Sequence, residues 1–358
     1  TGVFGISLVV ACVNTLWFAA WRKRGTAAGW ACGVAAALAT VGFPLATALQ
    51  APVQEAVTHT AVLLQENLSV GAERTGPPES RAEMVLSFAA LSAHPPVVAG
   101  GLPHAQPDLI AWPEAPADFF DGDLGFRSEM AQVARENKSA LIVNDVSVAP
   151  QSTNTTAAGP RKLYNSAAFF HADGTAAGRY EKMHLVPFGE YTPYKPLFFF
   201  AGHLLDDLPF VPGRTRVLFH DGAHTYGTFI CYESIFGDEI REFAQNGAQV
   251  LVNISDDGWY GDTSAPWEHL DMARMRAIEN HRWVLRATNT GLTTVIDPHG
   301  QLTAKAPRHV RTALAAGFAF CDGTTFYTHH GDWLAWLCVA VLALVCVWGV
   351  WLRPRQVH

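Results

Sequence analysis

Three stretches of the chain carry no charged residue: 1–21, 25–54 and 333–352. The hydrocarbon core of a bilayer takes about 20 apolar residues in a helix. Lipid admits only helices and closed barrels, because backbone polar groups must be satisfied internally. The runs therefore predict transmembrane helices at about 1–21, 30–49 and 333–352, the middle one rich in Ala and Gly and interrupted by Pro44. A cleaved signal peptide would want a basic start and a shorter apolar core, whereas residues 1–21 have their charges at the other end, in Arg22, Lys23 and Arg24.

Between 58 and 332 the pattern shortens. Apolar, β-rich runs at 61–65, 109–112, 140–143, 167–170, 227–230, 250–254 and 293–296 read as buried strands. Segments 79–91, 127–137, 237–246 and 267–280 have helical periodicity. Gly247 after Asn246 closes the third of these, as glycine past a last turn does. Strands alternating with helices predict α/β layers. Residues 151–160 form a polar loop, and no internal repeat is visible.

Composition sharpens the division. The chain is 49% hydrophobic and 16% charged, where a soluble domain averages about 25% charged. All 32 acids lie between Glu55 and Asp332, with 20 of the 25 Lys and Arg. The absence of a basic face argues against nucleic acid as a partner. The other basic residues flank the apolar runs: Arg22–Arg24 between the first two, Arg353 and Arg355 after the third. Such clusters stay cytoplasmic, which places 58–332 on the outer side and leaves 353–358 as a cytoplasmic tail. Thr1 then also falls outside, so a cytoplasmic native N-terminus implies an odd number of spans upstream.

Of six cysteines, Cys12, Cys32, Cys338 and Cys346 sit in apolar runs, and Cys231 and Cys321 lie in the outer domain. Outside the cytoplasm these two could pair as a disulfide. No CxxC and no helical His-x-x-x-His points to a metal.

Cys231 follows an apolar run in ICYES, where a strand-to-helix turn would expose a nucleophile. Glu114 ends LIAWPE, at the carboxyl end of a strand, where α/β folds place active sites. Lys182 lies in YEKMHLVPFGEYTPY. Alone, each has a plainer reading: a buried hydrophobe, a surface loop acid, a solvated lysine. Together they form an acyl-transfer set. Glu114 can take a proton from the thiol, and Lys182 can stabilise a tetrahedral oxyanion, with the Tyr232 N–H as a second donor.

WPE, EKMHLVPFGEY and CYES resemble the Glu-Lys-Cys signatures of the nitrilase superfamily. The likeness is closer to the apolipoprotein N-acyltransferase family, carried by HLVPFGEYTPY at 184–194, the block at 255–300 and the opening GVFGISLVVACVN. The resemblance implies an αββα sandwich with Glu114 as base, Lys182 as oxyanion donor and Cys231 as the nucleophile that forms a thioester. Glu190 and Glu233 match two further acids near that family's site. The family has eight spans, so five would precede this chain. The implied reaction moves an acyl chain from a phospholipid to Cys231, then to the free amine of a diacylglyceryl-cysteine at a lipoprotein N-terminus. It needs no metal, nucleotide or other cofactor, and it belongs to a bacterial inner membrane with the catalytic domain on the periplasmic side.

PLFFFAGHLL at 196–205, with Phe198, Phe199 and Phe200, reads either as an arm dipping into the bilayer or as an interior helix. Trp259, Tyr260 and Trp267 line the acyl site or pack in the core. Two other readings are a membrane-tethered amidase that uses water as acceptor and a non-catalytic lipoprotein-binding protein. The intact triad argues against the second, and the apolar arm and the 255–300 block argue against the first.

Overall fold

The computed structural model describes residues 1–42, 44–45, 55–68, 70, 80–114, 119–149, 162–193 and 210–351. The chain divides into two compact units, Thr1–Gln54 with His329–His358, and Glu55–Thr328.

The first unit is helical. Helix α1 (Gly2–Arg22) packs against α2 (Ala27–Ala37), which continues as a π-turn, Leu38–Gly42. Thr26 caps α2 by accepting from the Gly29 N–H at 3.1 Å. The Trp17 indole donates to Thr40 Oγ1 at 3.2 Å and ties α1 to the π-turn. A further apolar helix covers Trp333–Trp351. Large apolar side chains on these helices, Trp30, Leu38, Trp336 and Leu344 among them, are exposed. Among the described residues, α1 is the one helix long and apolar enough to cross a membrane. The described parts of the other two apolar helices, Ala27–Gly42 and Trp333–Trp348, are shorter.

The second unit is a four-layer α/β sandwich. Its strands are β1 (His59–Gln65), β2 (Val97–Val98), β3 (Leu109–Ala111), β4 (Ala140–Val148), β5 (Leu163–Phe170), β6 (Ala176–Glu181), β7 (Leu218–Asp221), β8 (His224–Ile230), β9 (Val250–Ser255), β10 (Val284–Thr288), β11 (Thr294–Ile296), β12 (Leu302–Lys305) and β13 (Thr312–Phe318). Among the described residues they form two sheets, in the orders β2-β13-β1-β3-β4-β5-β6 and β12-β11-β10-β9-β8-β7. The centre of each is parallel: β1, β3 and β4 in one, β8, β9 and β10 in the other. Antiparallel strands complete both sheets on their flanks.

Period-two alternation explains the layering. In β1, Ala61 and Leu63 join the core shared with the second sheet, while Val62 and Leu64 join a separate core with Met84, Phe88, Phe126 and Met130. The latter belong to α3 (Arg81–Ala93) and α4 (Leu124–Asn137). Helices α5 (Gly237–Gln245) and α6 (Ala265–Asn280) pack on the second sheet. Helix α3 starts two residues later than its periodicity suggests, because Ser80 and Glu83 form a capping box. Helix α4 starts three residues earlier, where Asp123 accepts from the Gly125 and Phe126 N–H groups at 2.8 and 3.1 Å.

Strand β8 runs against α5 with no room for a side chain at Gly227. A methyl group there would lie 2.9 Å from the Cβ of Phe243 and 3.0 Å from that of Ala248. Gly227→Ala should therefore destabilise the sandwich by about 1–3 kcal/mol through overpacking. Thermal unfolding in detergent should show a lowered midpoint. Gly100→Ala, at a position with open space around it, should leave the midpoint unchanged.

Candidate active site

The carboxyl ends of the parallel strands gather polar residues at one edge of the sandwich, as α/β sheets do at their sites. Glu114 follows β3, Cys231 follows β8, and Asp256 and Asp257 follow β9. Lys182 directly follows β6.

Cys231 begins a 3₁₀ turn, Cys231–Ile235, after extended Ile230. Its φ of 50° lies in the left-handed region, strained for a non-glycine residue. The side chain is buried, and both Cys231 and Cys321 are free thiols, so no disulfide joins them. Burial pushes the Cys231 thiol well above its ordinary range. The charge of Glu114 pushes the same way, while Lys182 and a hydrogen bond with Ser255 pull it down.

Lys182 is not solvated: 1% of its surface is exposed. Its Nζ donates to Glu114 Oε1 at 3.2 Å and lies 3.0 and 2.9 Å from the two carboxylate oxygens of Glu190. Burial opposes the cation, but Glu114 and Glu190 outweigh it and hold the ammonium above its ordinary value. Asn165 on β5 bridges the same carboxylates, donating through Nδ2 to Glu114 Oε1 at 2.7 Å and to Glu190 Oε1 at 2.9 Å. Asn144 donates to Asn165 Oδ1 at 2.7 Å and so fixes which way that amide faces. Glu114 Oε2 accepts the Asp256 N–H at 3.1 Å, and Glu190 Oε2 accepts the Val186 N–H at 2.8 Å. Asp256 itself is pushed up to about 7, by burial first and then by Glu114.

Glu233 joins the two sheets. Its Oε2 accepts the Ile230 N–H at 2.7 Å, and its Oε1 accepts from the Tyr180 hydroxyl and the Met183 and His184 N–H groups at 2.7, 2.7 and 3.1 Å. The turn that begins at Cys231 is thereby bolted to the chain on either side of Lys182. Tyr232 is half-buried with its ring edge-on to Phe236 at 5.4 Å. Trp259 and Trp267 are not core residues, being 69% and 49% exposed. Tyr260 is half-buried and pushed up to about 12, by burial first and then by the charge of Cys231. Phe198, Phe199 and Phe200 lie outside the described residues, as do Arg353 and Arg355.

Sequence reasoning missed Asn144, Asn165 and a buried group behind Cys231. That group comprises His269, Asp257 and Arg286. Among the described residues no three His, Cys, Asp or Glu side chains are placed to hold a metal ion.

Residues 79–318 match the carbon-nitrogen hydrolase family. An apolipoprotein N-acyltransferase of Geobacter metallireducens is 34% identical over 253 residues, 70% of this chain and 47% of that protein. One of Methylococcus capsulatus is 32% identical over 350 residues, 96% of this chain and 64% of that protein. The chain thus spans between 47% and 64% of the length of these relatives. Among solved structures, an amidase of the nitrilase superfamily from Nesterenkonia superposes with a TM-score of 0.53 at 18% identity, covering 79% of this chain and all of that one. At that identity the likeness concerns the fold.

The opposed charges on Cys231 give a test with two signs. Glu114→Gln removes a negative neighbour and leaves Lys182 opposed by Glu190 alone, so more of the thiol ionises at a given pH. Alkylation by iodoacetamide at pH 7.5 should speed up, while acylation by an ester should be lost if Glu114 is the base. Lys182→Met should slow both. Stopped-time mass spectrometry of Cys231 reads each rate, and slower alkylation in Glu114→Gln would contradict this electrostatic picture.

Proposed function

The chain belongs to the carbon-nitrogen hydrolase family, and from that premise we propose that it acts as an apolipoprotein N-acyltransferase. The observation that carries the reading is the 34% identity, over 70% of the chain, to a curated protein of that name. The charge pattern at the strand ends supports it, because acyl transfer requires a base, a nucleophile and an oxyanion donor together.

In the first step Glu114 takes the Cys231 proton as sulfur attacks the ester carbonyl of a phospholipid. Lys182 and the Tyr232 N–H hold the resulting oxyanion. Collapse expels the lysophospholipid alkoxide, which recovers the proton from Glu114 and leaves a thioester. In the second step the free α-amine of a diacylglyceryl-cysteine at a lipoprotein N-terminus attacks that thioester. Glu114 accepts a proton from the amine, the amide forms, and the Cys231 thiolate leaves and is reprotonated. Glu190 and Asn165 hold Glu114 and Lys182 in register, and Glu233 holds the turn. Acylation releases one lysophospholipid and transfer consumes one amine, so no cofactor enters the cycle. Water must be kept from the thioester between the steps.

Both substrates are lipids, which gives the apolar helices their purpose. Helix α1 and the helices beginning at Ala27 and Trp333 anchor the protein in a bacterial inner membrane, with Arg22–Arg24 and the 353–358 tail in the cytoplasm and the α/β unit on the periplasmic side. The exposed indoles of Trp259 and Trp267 contact the acyl chain.

Cys231→Ala should yield no acyl-enzyme and no product when the full protein is incubated in detergent with phosphatidylethanolamine and a diacylglyceryl peptide. Wild type should add one acyl chain to the peptide amine, read by mass spectrometry. Free fatty acid without amide would instead make water the acceptor and overturn the reading. A Trp259→Ser, Trp267→Ser variant should lose transfer from long-chain phospholipid, since each indole contributes about 1.5–3 kcal/mol if fully buried on the lipid. Its reaction with a short soluble ester should change little. Equal loss of both would assign the indoles to the chemistry or the fold instead.

A further inference from the structure

Behind Cys231 a chain of buried side chains leaves strand β8 at Phe229 and returns two residues later, to the turn that follows it. The carbonyl of Phe229 accepts from Asn253 Nδ2 at 3.2 Å. Asn253 Oδ1 accepts from Arg286 Nη1. Arg286 Nη2 donates to both oxygens of Asp257, at 3.0 and 2.8 Å. Asp257 Oδ1 lies 2.8 Å from His269 Nδ1, and Arg286 Nη2 lies 3.2 Å from the same ring nitrogen. His269 Nε2 then reaches the Cys231 carbonyl at 2.9 Å. Burial alone would raise the Asp257 carboxyl, but Arg286 and His269 outweigh it and hold it well below its usual range. All four side chains are buried.

A carbonyl only accepts, so Nε2 carries the hydrogen of that last bond. The Cys231 carbonyl shares one planar trans peptide with the Tyr232 N–H, and the two point in opposite directions. Holding the oxygen on the His269 side therefore aims the Tyr232 N–H the other way, away from the imidazole. The bond falls on a residue whose φ of 50° lies in the left-handed region, a conformation that persists only where the surroundings hold it.

We propose that His269 is a positioning residue for oxyanion stabilisation, acting through the Cys231–Tyr232 peptide, with Asp257 and Arg286 setting the ring's orientation. The proposal rests on reading Cys231 as the nucleophile, and that reading is tested apart from it. If Cys231→Ala still gives a burst of p-nitrophenol from a short-chain p-nitrophenyl ester, the nucleophile is wrong, whatever His269 does.

The full protein in detergent should be assayed with two probes. Acylation by the p-nitrophenyl ester develops an oxyanion. Alkylation by iodoacetamide uses the same sulfur but develops none. His269→Ala should lower the burst rate at saturating ester about 10²-fold, the usual scale for one lost oxyanion donor, with little change in half-saturation. Its alkylation rate should stay within about threefold of wild type, a change too small to reflect a lost donor. His269→Gln, whose amide nitrogen can reach the place of Nε2, should recover most of the burst rate. If the alanine variant fails to fold, His269→Met fills the space without a donor and carries the same comparison. A donorless variant that acylates at the wild-type rate would overturn the proposal. So would equal losses in acylation and alkylation, or a glutamine variant no better than alanine, either of which would make the role structural.

Discussion

A cation with 1% of its surface exposed must have its charge answered inside the protein, and Lys182 sets that demand. Its answer is two carboxylates, Glu114 and Glu190, delivered from different parts of the chain. Two anions held against one ammonium would repel each other. The ammonium and the Asn165 amide lie against both and make the arrangement stable. The interior here is a balanced polar network whose members each have several partners, and such networks tolerate no half-measure. The strand ends around it are placed by the need to complete this set.

The second tie is Glu233. Its two oxygens collect three backbone N–H groups and one hydroxyl, from the ends of β6 and β8. Hydrophobic packing between two sheets resists separation but permits sliding by fractions of an ångström. Directional bonds from one carboxylate to both sheets remove that freedom where Lys182 and Cys231 face each other. Burial pushes the Glu233 carboxyl up, and the donors around it pull the other way. Its position is that of an internal strut.

Legibility in the sequence followed the physics of each element. Strands buried on both faces, such as β1 and β9, stand out as apolar runs. Strands β6, β7 and β12 were missed because they are half-exposed and carry no such run. Strand β10 hid behind Arg286, whose charge is met by Asp257 from the end of the neighbouring strand. Strand β13, TALAAGF, hid behind its small residues, which favour no strand by propensity. Glu114, Lys182 and Cys231 could be singled out in the sequence because a carboxylate, an amine and a thiol together make a set that acyl transfer would use. Asn165 and His269 were not, since their meaning lies in partners found only in the fold: Glu114 lies 51 residues before Asn165, and the Cys231 carbonyl 38 before His269.

Strand β13 pairs with β1 along its whole length, from His59 against Phe318 to Gln65 against Thr312. The first and last long strands of the sandwich are thus neighbours, while Glu114, Lys182 and Cys231 all lie between them in the chain. Pairings this distant in sequence form late and slowly, because the loop must close before any contact rewards it. A chain emerging from synthesis exposes Glu114, Lys182 and Cys231 before the first sheet can be finished. The Cys231 thiol therefore spends that interval without Glu114 and Lys182 held around it, and the cluster settles with closure of the sheet, after residue 318 has been delivered.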